Sequence, residues 1–202
     1  MRLKRRRGSR TATIRMIASE RRTAPPRHQT LRATLDWSYA LLPAAEQALF
    51  RRLAVFAGGF SLEAVEAVGM GNSLTALTHL VEKSLVGKQE QGGEARYRSL
   101  EPVRQYAHEK LVEAGEESPV RTHHFAYFLA LAEKGDAGLI EGNQIEWLQR
   151  LDREHDNLRA ALGWALDSRD SQAAVRLSLA LAQKSLACRA TLQRHGHCTR
   201  RA

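Results

Sequence analysis

LVGKQEQGGEARYRSL, residues 85–100, is where the helical spacing of this chain gives way. Apolar residues otherwise recur every three or four positions from Leu31 to Leu181, the mark of amphipathic helices. Within 85–100 two short extended runs, 85–89 and 95–100, flank Gln91-Gly92-Gly93-Glu94, a turn rich in the residue that accepts positive φ. The stretch reads as a two-stranded hairpin set between helices. Pro102 cannot continue a central strand but can open a helix. Val103, Tyr106, Ala107, Leu111 and Ala114 give that helix its apolar stripe, and Gly115 ends it.

Working outward, Thr30 is placed to cap a first helix carrying Leu31, Leu35, Tyr39 and Leu42. Pro43 suits the first turn of a second, with Leu49, Phe50, Leu53 and Phe56 on its apolar face, and Gly58-Gly59 stops it. Ser61 caps a short third helix, and Asn72 or Ser73 starts a fourth with Leu74, Leu77, Leu80, Val81 and Leu85. Helices, a two-stranded wing and a closing helix describe a winged helix. After residue 117 the pattern is helical only. One helix spans 120–139, a second runs unbroken from Trp147 to Ala165, and a third covers 171–186. The fold class is therefore mainly α: a winged helix with a two-stranded β-wing, followed by antiparallel helical-repeat hairpins. One such hairpin cannot bury its own apolar face, so Val175, Leu177, Leu179 and Leu181 are expected to be partly exposed. Arg150, Asp152, Arg153, Glu154, Asp156 and Arg159 read as local surface pairs. Asp156-Asn157 are weak helix formers and point to a side-chain bond with a neighbouring turn.

Hydrophobic residues make up 43% of the 202 positions and aromatic ones 6%, enough for an aliphatic core. The formal net charge of +9 is unevenly placed. Residues 1–30 carry +9 and residues 184–202 carry +5, whereas 31–183 carry −5. The foldable part is mildly acidic, and the two basic arms are expected to be solvated tails that meet nucleic acid non-specifically. No run of 18 apolar residues exists, and no apolar stretch follows the basic start, so the expected location is the cytoplasm with no membrane contact.

Catalysis finds no footing. The chain contains no GxxxxGK(S/T), HExxH, GxSxG or DxDxDG motif, and Gly58-Gly59 and Gly69 read as helix stops. His123-His124 are neighbours on a helix and point about 100° apart, a poor chelate. Cys188, His195, His197 and Cys198 lack a spacing that spans a tetrahedron. No enzyme activity, cofactor or metal is expected.

Three phrases, RHQTLRATLDWSYALL (27–42), YRSLEPVRQYAHEKL (97–111) and EWLQRLDREHDNLRAALGWALD (146–167), resemble the middle of STAND-class bacterial regulators of the LuxR and AfsR type. The resemblance covers residues 22–182. It implies a nucleotide-binding module, then a winged helix, then tetratricopeptide-like repeats, of which this chain carries the last two without the P-loop module. The implied organisation is a basic disordered arm at 1–26, a winged helix at 27–117, the start of the repeats at 118–187 and a basic tail at 188–202. Both ends fit either natural tails or a truncated or frame-shifted reading of a longer gene. The implied partners are the nucleotide-binding module and further repeats of a parent regulator or a homologous chain. Many relatives of this class carry a nucleotide-sensing triplet at the end of the wing, which falls on Ser99, Leu100 and Glu101 here. Leu100 has no group to offer a phosphate, and Glu101 reads as a charge at a helix N-terminus.

The implied role is a non-catalytic intramolecular and protein-interaction module of a signal-transducing transcriptional regulator. The alternative is a free-standing winged-helix DNA-binding transcription factor, for which Lys83, Lys88, Arg96 and Arg98 are the candidate DNA contacts. The fourth helix carries one Lys against one Glu and no Arg, and Glu90 and Glu94 offset the wing's cations. That is a poor surface for a phosphate backbone.

Overall fold

The computed structural model describes residues 26–69, 73–91, 93–140, 143–168 and 171–195. They belong to two compact units, one ending at Leu42 and the other beginning at Pro43. Residues 1–25 and 196–202, most of the first basic arm and the end of the second, lie outside the described residues.

The first unit contributes helix α1 (Pro26–Ala40). The helix starts upstream of Thr30, which therefore sits inside it rather than capping it. Its carbonyl accepts a bond from Thr34 Oγ1 at 3.0 Å. Trp37 and Leu41, four residues apart on one face, are exposed.

In the second unit, Pro43 precedes α2 (Ala44–Arg52), which tightens into a 3₁₀ turn at Leu53–Val55. Phe56 then leaves in an extended conformation. The apolar face expected on a single helix is thus divided, yet Leu49, Phe50, Leu53 and Phe56 are all buried. Ser61 Oγ accepts the amide of Ala64 at 3.2 Å and caps α3 (Leu62–Gly69), satisfying one of the orphan donors of a helix start. Helix α4 (Ser73–Glu82) ends before Ser84, whose φ is 58°.

The hairpin pairs β1 (Gly87–Gln91) antiparallel with β2 (Glu94–Arg98), from Gly87 opposite Arg98 to Gln91 opposite Glu94. Gly93, with φ of 79°, makes the turn. The first strand begins two residues later than its sequence suggests. Leu85 and Val86 are drawn into the core instead, with both amides bonded to the Leu80 carbonyl. Strand β2 is tied to the loop before α3, because Phe60 and Tyr97 exchange two backbone bonds of 2.9 Å. Helix α5 (Glu101–Glu113) follows with Pro102 in its first turn. Gly115, with φ of 71°, closes it.

Four helices complete the unit: α6 (Glu117–Ile140), α7 (Gln144–Arg153), α8 (His155–Asp167) and α9 (Ser171–His195). The expected unbroken helix from Trp147 to Ala165 is two helices, with Glu154 between them in a non-helical conformation. Gly135 and Gly138 lie inside α6, and they let α7 settle on it. A Cβ at Gly138 would come within 2.0 Å of Trp147 Nε1, and one at Gly135 within 2.8 Å of Leu151 Cδ1. The indole of Trp147 is half-buried against that gap. On α9, Val175 and Leu179 are exposed and Leu181 is partly so, but Leu177 is fully buried. Leu177 shares its helix face with Ala173, Ala174 and Ala180, also buried, and the expectation for it fails on that spacing. Helix α9 also runs past the expected end of the repeats at 187.

Candidate interaction site at the wing junction

The break at Glu154 has a tertiary cause. Glu154 is 5% exposed and faces Arg96 of β2, which is 6% exposed. Arg96 Nη1 donates to Glu154 Oε1, while Nη2 donates to the carbonyls of Gly59 at 2.9 Å and Arg153 at 3.3 Å. Asn157, 1% exposed on the first turn of α8, completes the network. Its Nδ2 donates to Gly59 O and to Glu154 Oε2, each at 2.9 Å, and its Oδ1 accepts the amide of Ala57 at 3.0 Å. The neighbouring turn called for by Asp156-Asn157 is thus the loop 57–59, a hundred residues earlier in the chain. Gly58 permits the approach: a Cβ there would stand 3.3 Å from Asp156 Oδ2.

The chemistry of this junction is fastening. A buried ion pair gains little over an apolar substitute, but losing one partner strands a charge. Its surroundings are apolar. Phe56 stacks on Phe60 at 4.5 Å between ring centroids and meets His124 and Phe128 of α6 at 5.3 and 6.3 Å. Exposed pairs rim the junction, Arg150 with Glu63 at 2.9 Å and Arg153 with Glu94 at 3.5 Å, each worth well under about 1 kcal/mol. Arg150, Arg153 and Glu154, read from sequence as local helix pairs, therefore all bond across to the winged helix.

His124 is buried beside this network, and its Nε2 has no hydrogen-bond partner among the described residues. Burial pushes its pKa down from 6.5 to about 4, against hydrogen bonding of the charged ring to the Asn157 side chain, which raises it, with Arg121 adding to the depression. Between these values the unfolded chain binds a proton that the native state refuses, so stability rises with pH. The contribution is present above pH 6.5 and is lost as pH falls toward about 4. It amounts to roughly 3 kcal/mol over that window. Urea midpoints of the wild type and His124→Phe, measured from pH 7 down to pH 5, should show a weaker pH dependence in the variant. Parallel profiles would contradict the assignment.

The candidate DNA contacts scatter. Lys83 is bound to the buried Glu46 of α2, which also takes His79 Nδ1 at 2.8 Å. Burial raises the Glu46 carboxyl, but Lys83 and His79 outweigh it and hold its pKa below the usual value. Arg96 is buried on Glu154, and only Lys88 and Arg98 stand exposed on the hairpin. At the position of the nucleotide-sensing triplet, Leu100 is exposed and Glu101 binds within its own helix. Arg104 holds it bidentately at 2.8 Å and Gln105 at 2.9 Å. Those bonds pull its carboxyl down to about 2. A cavity of about 240 Å³ beside it is lined by Arg98 and Arg104 but also by Glu101 and Asp156, so it has no net attraction for an anion. Among the described residues no cluster of His, Cys, Asp and Glu is arranged to hold a metal, and no helix is long and apolar enough to cross a membrane. The side chains of Cys188, His195, His197 and Cys198 lie outside the described residues.

Residues 42–112 match the family of winged helix-turn-helix domains. The match begins after α1 and ends within α5. Over 174 residues the chain is 44% identical to a "Putative HTH-type transcriptional regulator" of Mycobacterium tuberculosis, covering 83% of this chain and 20% of the relative. A protein of the same description from Mycobacterium bovis matches equally. An "Uncharacterized protein" of Mycobacterium tuberculosis is 45% identical over 114 residues, 53% of this chain and 29% of its own length. No solved structure matches at a significant level. The chain thus carries a winged helix-turn-helix domain and spans about a fifth of the much larger regulators it resembles.

Sequence reasoning missed Arg96, Glu154 and Asn157 as one site. Asp156-Asn157 in a helical pattern was the available signal, and it carried no information about the partner.

Proposed function

We propose that this chain is a non-catalytic interaction module of a STAND-type signal-transducing transcriptional regulator, joining a nucleotide switch to a helical sensor of tetratricopeptide-like hairpins. The observation that carries the reading is the use of the wing. Its central arginine, Arg96, is held by Glu154 at the α7–α8 corner instead of facing solvent. The same loop, 57–59, is stitched to Asn157. A wing fastened in this way passes a displacement of the helical half to the winged helix. Further support comes from the exposed Val175 and Leu179 on α9, which suit another helical hairpin of a parent regulator or a homologous chain. The similarity to regulators of which this chain spans about a fifth agrees with this. The nucleotide-binding module of such a regulator is the other proposed partner, the basic arms meet nucleic acid non-specifically, and the cytoplasm is the proposed location.

Gel-shift assays across salt concentrations test this against a DNA-reading winged helix. The full chain should bind duplexes of unrelated sequence alike, with a strong salt dependence. A piece spanning 27–183, whose central stretch 31–183 carries −5, should lose that binding. Preference of the 27–183 piece for one sequence would favour a transcription factor that reads DNA with Lys88 and Arg98.

A further inference from the structure

The two faces of the wing have different fates. Side chains alternate along a strand, so Glu94, Arg96 and Arg98 share one face of β2 and Ala95 and Tyr97 the other. Tyr97 packs on Phe60 of the winged helix, with ring centroids 6.3 Å apart. The opposite face meets the α7–α8 corner, where Arg153 takes Glu94 and Glu154 takes Arg96. Among the described residues of 42–112, none pairs a carboxylate with Arg96. Its bond there goes to the Gly59 carbonyl, and the anion comes from Glu154, 58 residues downstream. Of the three cations on the hairpin, Lys88, Arg96 and Arg98, the helical half therefore withdraws the central one.

We infer that the α7–α8 corner is an autoinhibitory cap on the wing: Glu154 holds Arg96 out of reach of a nucleic-acid phosphate backbone, and displacing the corner exposes it. The inference rests on reading residues 43–183 as one internally coupled module, since the cap and the capped face belong to the same folded unit. Glu154 and a DNA phosphate are alternative anions for one guanidinium, so whatever favours one opposes the other. Coupling of this kind is reciprocal: DNA on the wing would loosen the corner, and a signal that moves the corner would strengthen DNA binding.

The test compares the full-length wild type with Glu154→Gln and with Arg96→Gln/Glu154→Gln, by fluorescence anisotropy on a mixed-sequence duplex DNA across a salt series. All three carry the same basic arms, so differences between them report the wing. Glu154→Gln should bind several-fold more tightly at low salt. Its plot of log affinity against log salt should steepen by about 0.9, the increment for one added phosphate contact. The double variant should return to the wild-type affinity and slope. Glu154→Gln indistinguishable from wild type, or a double variant that keeps the gain, would overturn the inference. If Glu154→Gln alone melts below the assay temperature, the comparison of the double variant with wild type still decides. Equal binding supports an occluded Arg96, and weaker binding by the double variant means that Arg96 already grips DNA. These outcomes are separate from a sequence preference of the 27–183 piece, which bears on the interaction-module reading.

Discussion

Replacing Glu154 with alanine should lower the free energy of unfolding by about 3–5 kcal/mol, the usual cost of stranding one partner of a buried ion pair. Arg96 would keep the carbonyls of Gly59 and Arg153 but face no anion, and Asn157 would lose one of its two acceptors. The effect should greatly exceed that of Glu63→Ala, which breaks an exposed pair with Arg150 and should cost about 1 kcal/mol or less. Urea denaturation of the three proteins provides the comparison. Similar losses for the two variants would mean that the corner is solvated and that Glu154 is an ordinary surface residue.

Phe56→Ala should cost about as much, roughly 3–5 kcal/mol, by opening a cavity among side chains that cannot easily collapse into it. Phe56 is 1% exposed and touches both halves of the second unit: Phe60 on the winged-helix side, His124 and Phe128 on α6. The loss should appear as one cooperative transition shifted to lower urea, because the ring belongs to a core shared by both halves. If the winged helix melts early while the signal of Trp147 and Trp164 is unmoved, the shared core does not exist.

The winged helix was readable in the sequence because its punctuation is local. Gly93 takes the positive φ that the hairpin turn needs, Gly115 does the same at the end of α5, and Ser61 caps α3. Where the reading slipped, a tertiary demand overrode a local pattern. Leu85 and Val86 look like the start of a strand but are recruited to the core. Thr30 looks like a cap, yet α1 begins before it. The helix break at Glu154 was hidden for a related reason. Leu151 and Leu158 are seven residues apart and keep helical phase across it, so periodicity alone sees one helix. Both leucines are buried on either side of the break. What interrupts the helix is the position of Arg96, and nothing near Glu154 in sequence reports it. What holds the candidate DNA contacts Lys83 and Arg96 was hidden in the same way, since their partners, Glu46 and Glu154, lie 37 and 58 residues away.

The fastening of the winged helix to the helical half is most directly tested at the backbone amide of Ala57, which donates to Asn157 Oδ1 and to no other acceptor among the described residues. Native-state hydrogen exchange of the wild type and Asn157→Ala should show this amide protected in the first. In the second it should exchange far faster, together with those of Arg96 and Tyr97 on the wing, while the amides of α4 keep their protection. Rapid exchange at Ala57 in the wild type, or an unchanged rate in Asn157→Ala, would contradict a wing held by α8.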